Sequence, residues 1–416
     1  MERLFVFVYL PGETVAVPSG IFDYDAKGKV GHFSYGRRYL ENHAFQISPD
    51  LPLGKGAKSS EKFNGLFGSF RDASPDYWGR TVFASLNKRD FDSIGEHEYL
   101  LDKSASRIGN LDFRVAVDSP EPALSLPAFS TLENLIQAFD DIQEGRDVPK
   151  PYRLLLLECT SMGGMRPKCT IEDGGKLWIA KFPSKRDPYN IARVEAATMA
   201  IAKNAGITIP ETRVEQVGGK DIFMIERFDR LHDPVKNAYA RKGFASGLSL
   251  LGKDEADRGF GYPDFAEALR LSGDCQGAEE LFKRMVFNIA VRNTDDHSRN
   301  HGFILGYDGI RLSPAYDITP GQSRHGVSTC FDLAVEVGDE GRSATVGNAL
   351  SSCNRFGLAY GNALDIIEDV VESASNWKKA FEQFGVSEED IEKFSHTFDS
   401  VQERFAIAGN RPANLP

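Results

Sequence analysis

A chain of 416 residues with 41% hydrophobic content is long enough to bury a sizeable core and to divide into two or three domains. Its formal net charge of −11 gives no overall basic footprint, which disfavours autonomous binding to DNA or to an anionic membrane. The five cysteines, Cys159, Cys169, Cys275, Cys330 and Cys353, are scattered without a CxxC pair or a nearby histidine pattern and read as buried free thiols in a reducing cytoplasm.

The opening stretch MERLFVFVYLPGETVAV carries Glu2 and Arg3 ahead of a short apolar run that Pro11 and Gly12 interrupt. A signal peptide needs a longer apolar core behind a positive start, and no later segment reaches the ~20 apolar residues of a membrane span. The expectation is a soluble cytoplasmic protein with no membrane partner. From residue 1 to about 120 the pattern is short and strand-like, with LFVFVYL and TVAV separated by PGE, and FDYDAKGKVGHFSYG turning at AKGK. A helix is predicted to start between Ser74 and Asp76, with Trp78, Val82, Phe83 and Leu86 at helical spacing. Another covers LENLIQAFDDIQEGRD, with Leu132, Leu135, Ile136 and Phe139 on one face. Prolines in DSPEPALSLPAF and RDVPKPY mark a boundary, so residues 1–125 read as a β-rich domain and 126–150 as a linker with its helix.

Beyond residue 150 the apolar run YRLLLLE leads into CTSMGGMRPKCTI, then a strand over KLWIAKF and a helix over NIARVEAATMAIAKNAG that Gly206 terminates. IPETRVEQVGGKDIFMIERF reads as two strands turned at Gly218 and Gly219. Residues 151–230 thus form a mixed part and 231–408 a mostly helical one, with 409–416 as a frayed tail.

The chemistry concentrates in the helical part. In EELFKRMVFNIAVRN, Leu281, Phe282, Met285, Val286, Ile289 and Ala290 share one face, so a buried helix stops at Asn293 and hands the chain to the polar loop NTDDHSRN. HGFILGYDGIRLS follows as a hairpin turned at YDG and delivers PAYDITP. A hairpin returns its end beside its start, so Asp317 is expected near Asn300. Two such oxygen ligands suit Mg²⁺, which keeps water and takes one or two carboxylates plus substrate phosphates. Asp295, five residues before Asn300, is then placed to accept the proton of an attacking hydroxyl, the spacing that protein kinases use. The plainer alternative makes NTDDHSRN a helix cap and turn, for which Asn, Asp and Ser are suited by local hydrogen bonding.

Upstream, SMGGMRPK supplies Ser161, Gly163 and Gly164 in a glycine-bearing loop whose amides suit phosphate oxygens, with Arg166 and Lys168 beside it. It is not a Walker A motif, and Gly-Gly alone serves as well for a strand-connecting turn. Lys181 lies inside the apolar strand LWIAKFP, where its ammonium must snorkel out or meet an anion. Glu195 on the following helix is an available partner, although a solvated helix face is its plainer use. FMIERFDR ends a strand, and a hinge there offers backbone groups of Glu226 and Phe228 to an adenine ring, unless Glu226 and Arg227 are only exposed charges.

Taken together, SMGGMRPK, WIAKFP, IERFDR, NTDDHSRN and PAYDITP resemble the HipA family of bacterial serine/threonine kinase toxins, and FSYGRRYL, ISPDLPL, SPDYWGR and SRIGNLDF resemble that family's smaller N-terminal domain. The resemblance implies an α+β, two-lobed protein-kinase-like fold with a β-rich N-terminal domain packed on it. It implies ATP and Mg²⁺ as cofactors, with Asp295 as catalytic base and Asn300 and Asp317 as metal ligands. Lys181 becomes the phosphate-directed cation, and Glu226 and Phe228 the adenine hinge. Ser161 becomes an autophosphorylation site within the glycine-bearing loop, whose phosphate would draw on Arg166, Lys168 or Lys185. The partners implied are a helix-turn-helix antitoxin, which supplies the DNA contacts, and a protein substrate such as an aminoacyl-tRNA synthetase. A reading from another class is a catalytically silent co-repressor bound to a DNA-binding antitoxin. One departure is Asp296, where a glycine is common after the base aspartate; a solvent-facing carboxylate is favoured there over a second metal ligand. His297 is expected to be structural, and His301 is given no role.

Overall fold

The computed structural model describes residues 1–102, 105–124, 126–157, 159, 164–322 and 330–405. They form two compact units that interleave along the chain: residues 1–186, 215–256 and 303–309 in the first, and 187–214, 257–302 and 310 onward in the second.

In the first unit the apolar run near the N-terminus becomes β1 (Glu2–Tyr9), followed by β2 (Ala16–Asp25), β3 (Val30–Tyr35), β4 (Lys58–Ser60) and β5 (Leu111–Arg114). The sheet order is β4-β3-β2-β1-β5, antiparallel throughout. Phe22, Phe33, Phe67, Phe70 and Phe113 cover one face in edge-to-face contacts, with centroids 5.1–6.3 Å apart. Phe70 comes from the short helix Gly68–Ala73.

A second sheet holds β6 (Lys168–Asp173), β7 (Lys176–Lys181), β8 (Thr212–Val217) and β9 (Lys220–Glu226), in the order β6-β7-β9-β8. The β8–β9 turn needs positive φ at both central residues, which Gly218 (+56°) and Gly219 (+74°) adopt without a Cβ clash. Two helices predicted from spacing, observed as Tyr77–Asn87 and Leu132–Gln143, lay their apolar faces on this sheet. Trp78, Val82, Leu135 and Phe139 meet Ile171, Trp178, Ala180, Phe182 and Met224 there, all buried. The apolar run YRLLLL belongs to a helix, Lys150–Leu157. Three short strands, β10 (Arg230–Asp233), β11 (Ala238–Arg241) and β12 (Gly243–Ser246), complete the unit's main run, and the hairpin β13 (Gly302–Gly306) and β14 (Gly309–Leu312) follows later in the chain, with β13 beside β12.

The second unit is mostly helical. Helix Ile191–Asn204 stops at Gly206, whose φ is +76°. Helices Tyr262–Leu271, Cys275–Ala290, Tyr360–Ser375 and Glu388–Asp399 supply most of the rest. The six apolar residues expected on the inner face of Cys275–Ala290 are all buried, and so are Arg284 and Asn288. Among the described residues no helix is long and apolar enough to cross a membrane. Cys159, Cys169 and Cys353 are buried as expected, but Cys275 and Cys330 are exposed; Cys275 is the first residue of its helix, where the apolar stripe has not yet begun.

Candidate functional site

The loop after helix Cys275–Ala290 is fixed from both ends of that helix. At the start, Asp274 accepts a hydrogen bond from Gly277 N and another from Leu312 N at 2.8 Å, which ties the end of β14 to the helix. At the far end, Ile289 O and Ala290 O, the last carbonyls of the helix, accept from the Arg404 guanidinium at 3.2 and 2.8 Å. The chain then reverses at Arg292, whose φ is +55°.

A buried polar chain supports the loop from beneath. Asn293 Nδ2 donates to Asn288 Oδ1 at 3.1 Å, Asn288 Nδ2 to Tyr262 Oη at 2.7 Å, and Tyr262 Oη to Asp296 Oδ2 at 2.8 Å. Asp296 Oδ1 accepts from Ala334 N at 2.7 Å. Each donor meets an acceptor, the condition for a buried network to be rigid rather than costly. Asp296 is therefore not the solvent-facing carboxylate expected from sequence: it is 1% exposed. The turn directs its Oδ2 inward to Tyr262. Burial pushes its pKa up to about 6. His301 has a role after all, since its Nε2 donates to Asp296 O at 3.0 Å while its ring lies 4.8 Å from that of Tyr262. Burial lowers its pKa to about 3, so it stays neutral. His297 is half-buried beside it.

Above this network, Asp295 is exposed. Its carbonyl accepts from Asn300 Nδ2 at 2.8 Å, which orients the Asn300 amide and turns its oxygen to the opposite side. Tyr316 Oη donates to Arg299 O at 2.9 Å and joins the segment after the hairpin to the loop. Asp317 takes a φ of +55°, a left-handed conformation that Asp tolerates better than most residues but at a cost of order 1 kcal/mol. Asn300 and Asp317 line the same small cavity, together with Asp296, Asn288, Arg284 and Tyr316. Among the described residues no group of three or more His, Cys, Asp or Glu side chains forms a metal cage. A cation held by Asn300 and Asp317 would have to complete its shell with water or phosphate, which suits Mg²⁺ and not a structural zinc.

In the first unit, Lys168 and Lys181 are directly opposed across the β6–β7 pair, with Phe223 opposite Lys181 on β9. The Lys181 ammonium lies 5.5 Å from the Phe223 ring centroid. The two lysines thus stand at the same end of the sheet. Gly164 stands with φ +98° near Lys168. Ser161 and Gly163 lie outside the described residues, and so does the tail 409–416. Arg166 is half-buried, and Lys185 already pairs with Glu144 at 2.6 Å. Glu195 is 3% exposed, so the solvated helix face does not describe it; it belongs to the second unit and Lys181 to the first.

After β9 the side chains alternate. Glu226 is half-buried and pairs with Lys176 at 3.0 Å, and the Phe228 ring lies 6.3 Å from that of Phe244. Arg227, allowed above as an exposed charge, is instead 3% exposed and holds Asp229 with two nitrogens at 2.9 and 2.8 Å. Burial alone would raise the Asp229 pKa, but Arg227 and Arg230 outweigh it and keep the carboxyl well below its usual range. Asp229 in turn accepts from Gly109 N at 3.0 Å, so the segment SRIGN braces the strand end. Sequence reasoning missed Tyr262, Asn288 and Arg404 as supports. Asn288 alone left a sign, a polar residue inside an apolar helix.

Residues 160–378, more than half of the chain, match the HipA-like C-terminal domain family. The chain belongs to the HipA-like family. It is 23% identical over 186 residues to the serine/threonine-protein kinase toxin HipA of Shewanella oneidensis, covering 38% of this chain and 42% of that protein. The match thus spans less than half the length of that HipA. A chain from the solved complex of Shewanella oneidensis HipA, HipB and operator DNA superposes with a TM-score of 0.68 over 96% of both chains at 17% identity. The α+β, kinase-like fold implied by the motifs is therefore the HipA fold.

Proposed function

We propose that this chain is an ATP- and Mg²⁺-dependent serine/threonine protein kinase and the toxin of a toxin–antitoxin pair. The observation that carries the reading is the placing of Asn300 and Asp317 on one cavity, with Asn300 hydrogen-bonded to the backbone of Asp295. In this reading the exposed Asp295 carboxylate accepts the proton of a substrate hydroxyl, and the Asn300 and Asp317 oxygens hold the ion. A bound Mg²⁺ supplies the charge that neutralises phosphoryl oxygens in such sites. Lys168 and Lys181 attract the nucleotide's phosphates, and Glu226 and Phe228 offer backbone groups to adenine. The roles given above to Glu195, Gly163, Gly164 and Ser161, autophosphorylation included, belong to the same proposal.

The toxin role draws on membership of the family, and the partner on the HipA–HipB–DNA complex whose HipA-type fold this chain shares. A HipB-like helix-turn-helix antitoxin would supply the contacts to DNA, in keeping with the acidic charge of this chain. The target would be a protein hydroxyl, an aminoacyl-tRNA synthetase being the kind the family resemblance implies. The silent co-repressor reading is disfavoured because a site without turnover has no need to hold Asp317 in a left-handed conformation beside Asn300.

The test is transfer from labelled ATP with Mg²⁺ to the protein itself and to a lysate, comparing wild type with Asp295→Ala and Ser161→Ala. Asp295→Ala should lower single-turnover transfer by about 10²–10⁴, the span typical of a lost general base. A fall of less than tenfold would remove Asp295 from that role, and a wild type that neither binds ATP nor transfers phosphate would favour the silent reading.

A further inference from the structure

The motif SPDYWGR carries no part of the reaction proposed above, yet the structure joins it to the glycine-bearing loop. Asp76 occupies the N-cap of helix Tyr77–Asn87, where an aspartate ordinarily accepts from an amide of the first turn. It makes no such bond. Its Oδ2 instead accepts from Gly164 N at 2.9 Å, 88 residues away in sequence. The carbonyl of the same Gly164 accepts from Trp78 N at 3.2 Å, one of the first-turn amides that has no partner within the helix. Gly164 is thus held by both of its backbone polar groups at one helix start.

The clamp is itself braced. Asp76 Oδ1 accepts from Arg71 Nη2 at 2.8 Å, and that guanidinium also reaches Glu255 at 3.3 Å. Arg80 Nε donates to Pro75 O at 2.8 Å, and its guanidinium pairs with Glu96 at 2.6 Å, which fixes the turn leading into the helix. Trp78 anchors the same turn in the core under β6 and β7. On the other side, Gly164 has φ +98°, and a Cβ there would stand 2.6 Å from the Lys168 ammonium. The position where Asp76 holds the chain is therefore the position that spaces it from Lys168.

We propose that Asp76 is a positioning residue for the nucleotide loop: by fixing Gly164 beside Lys168, the N-terminal part of the chain sets the affinity for ATP. The proposal rests on the kinase reading for its ligand, but the clamp can be measured without ATP. The experiment combines hydrogen exchange of the peptide spanning Gly164 in the nucleotide-free protein with direct ATP binding and steady-state kinetics, for wild type, Asp76→Asn and Asp76→Ala. Asp76→Ala should speed exchange at Gly164 and raise Kd and KM for ATP about tenfold or more, the effect of losing a hydrogen bond to a charged acceptor, while kcat stays within about twofold. Asp76→Asn keeps one acceptor oxygen and should fall between. If exchange at Gly164 is unchanged in both variants, the clamp does not exist. If exchange rises but the Kd and KM for ATP stay within about twofold of wild type, with or without a fall in Tm and apparent kcat, Asp76 serves folding only and the positioning role is wrong. A wild type that binds no ATP overturns the kinase reading and, with it, the nucleotide part of the proposal, while the exchange data still decide the clamp.

Discussion

Two adjacent carboxylates in the same loop have opposite environments. Asp295 faces water and Asp296 is buried against Tyr262. Because burial raises the Asp296 pKa from its ordinary value to about 6, the folded protein binds this proton more tightly than the unfolded chain does. The Asp296 contribution to stability is therefore greatest at about pH 4 and below and is lost as pH rises to about 6. Asp296→Asn does not titrate, so the Tm of wild type minus that of the variant should fall between pH 4 and 6 and level off above; a pH-independent difference would refute the assignment. His301 acts in the opposite direction in both proteins and cancels in the comparison. Asp317→Asn, removing one charge from the cavity that it shares with Asn300, should shift the Mg²⁺ titration of activity to higher concentration, by tenfold or so for a ligand of this kind. An unchanged titration would take Asp317 out of the metal site. The nearness of Asn300 to Asp317 was legible because the hairpin between them is sequence-local. The burial of Asp296 was not, since one acid among polar neighbours has no periodicity to reveal which way it points. Arg227 misled for the same reason.

The elements that bear the loop were the most legible part of the fold. Helix Cys275–Ala290 announced its buried face through regular spacing, and the YDG hairpin announced its turn. What sequence did not disclose is how the helix end is held, because Arg404 lies more than a hundred residues further on and has no local signal. Its guanidinium satisfies Ile289 O and Ala290 O and also Thr397 O at 2.7 Å. A cation at a helix C-terminus also meets the negative end of the macrodipole. Burial and the neighbouring Arg292 lower the Arg404 pKa to about 10, which leaves it charged at neutral pH. Arg404→Ala should therefore lower stability by about 1–3 kcal/mol and speed amide exchange over residues 289–293. Wild-type exchange in that peptide would show that the helix end does not depend on Arg404.

For the whole molecule, the segment that matches the HipA-like family begins at residue 160, but the face of β6, β7 and β9 is covered by Trp78, Val82, Leu132, Leu135, Ile136 and Phe139. A fragment of residues 160–378 should expose Ile171, Trp178 and Met224, bind hydrophobic dyes and aggregate. A monomeric fragment with a cooperative melt would contradict this. The β-rich character of the N-terminal stretch and the helical character of the C-terminal part were readable from pattern, whereas the interleaving of the two units was not, because it depends on tertiary contacts alone. That interleaving has a consequence for biosynthesis. The β12 strand of the first unit finds its neighbour only when residues 303–306 arrive. A nascent chain leaving the ribosome therefore cannot finish one half before starting the other, and must keep its early strands waiting for a late one.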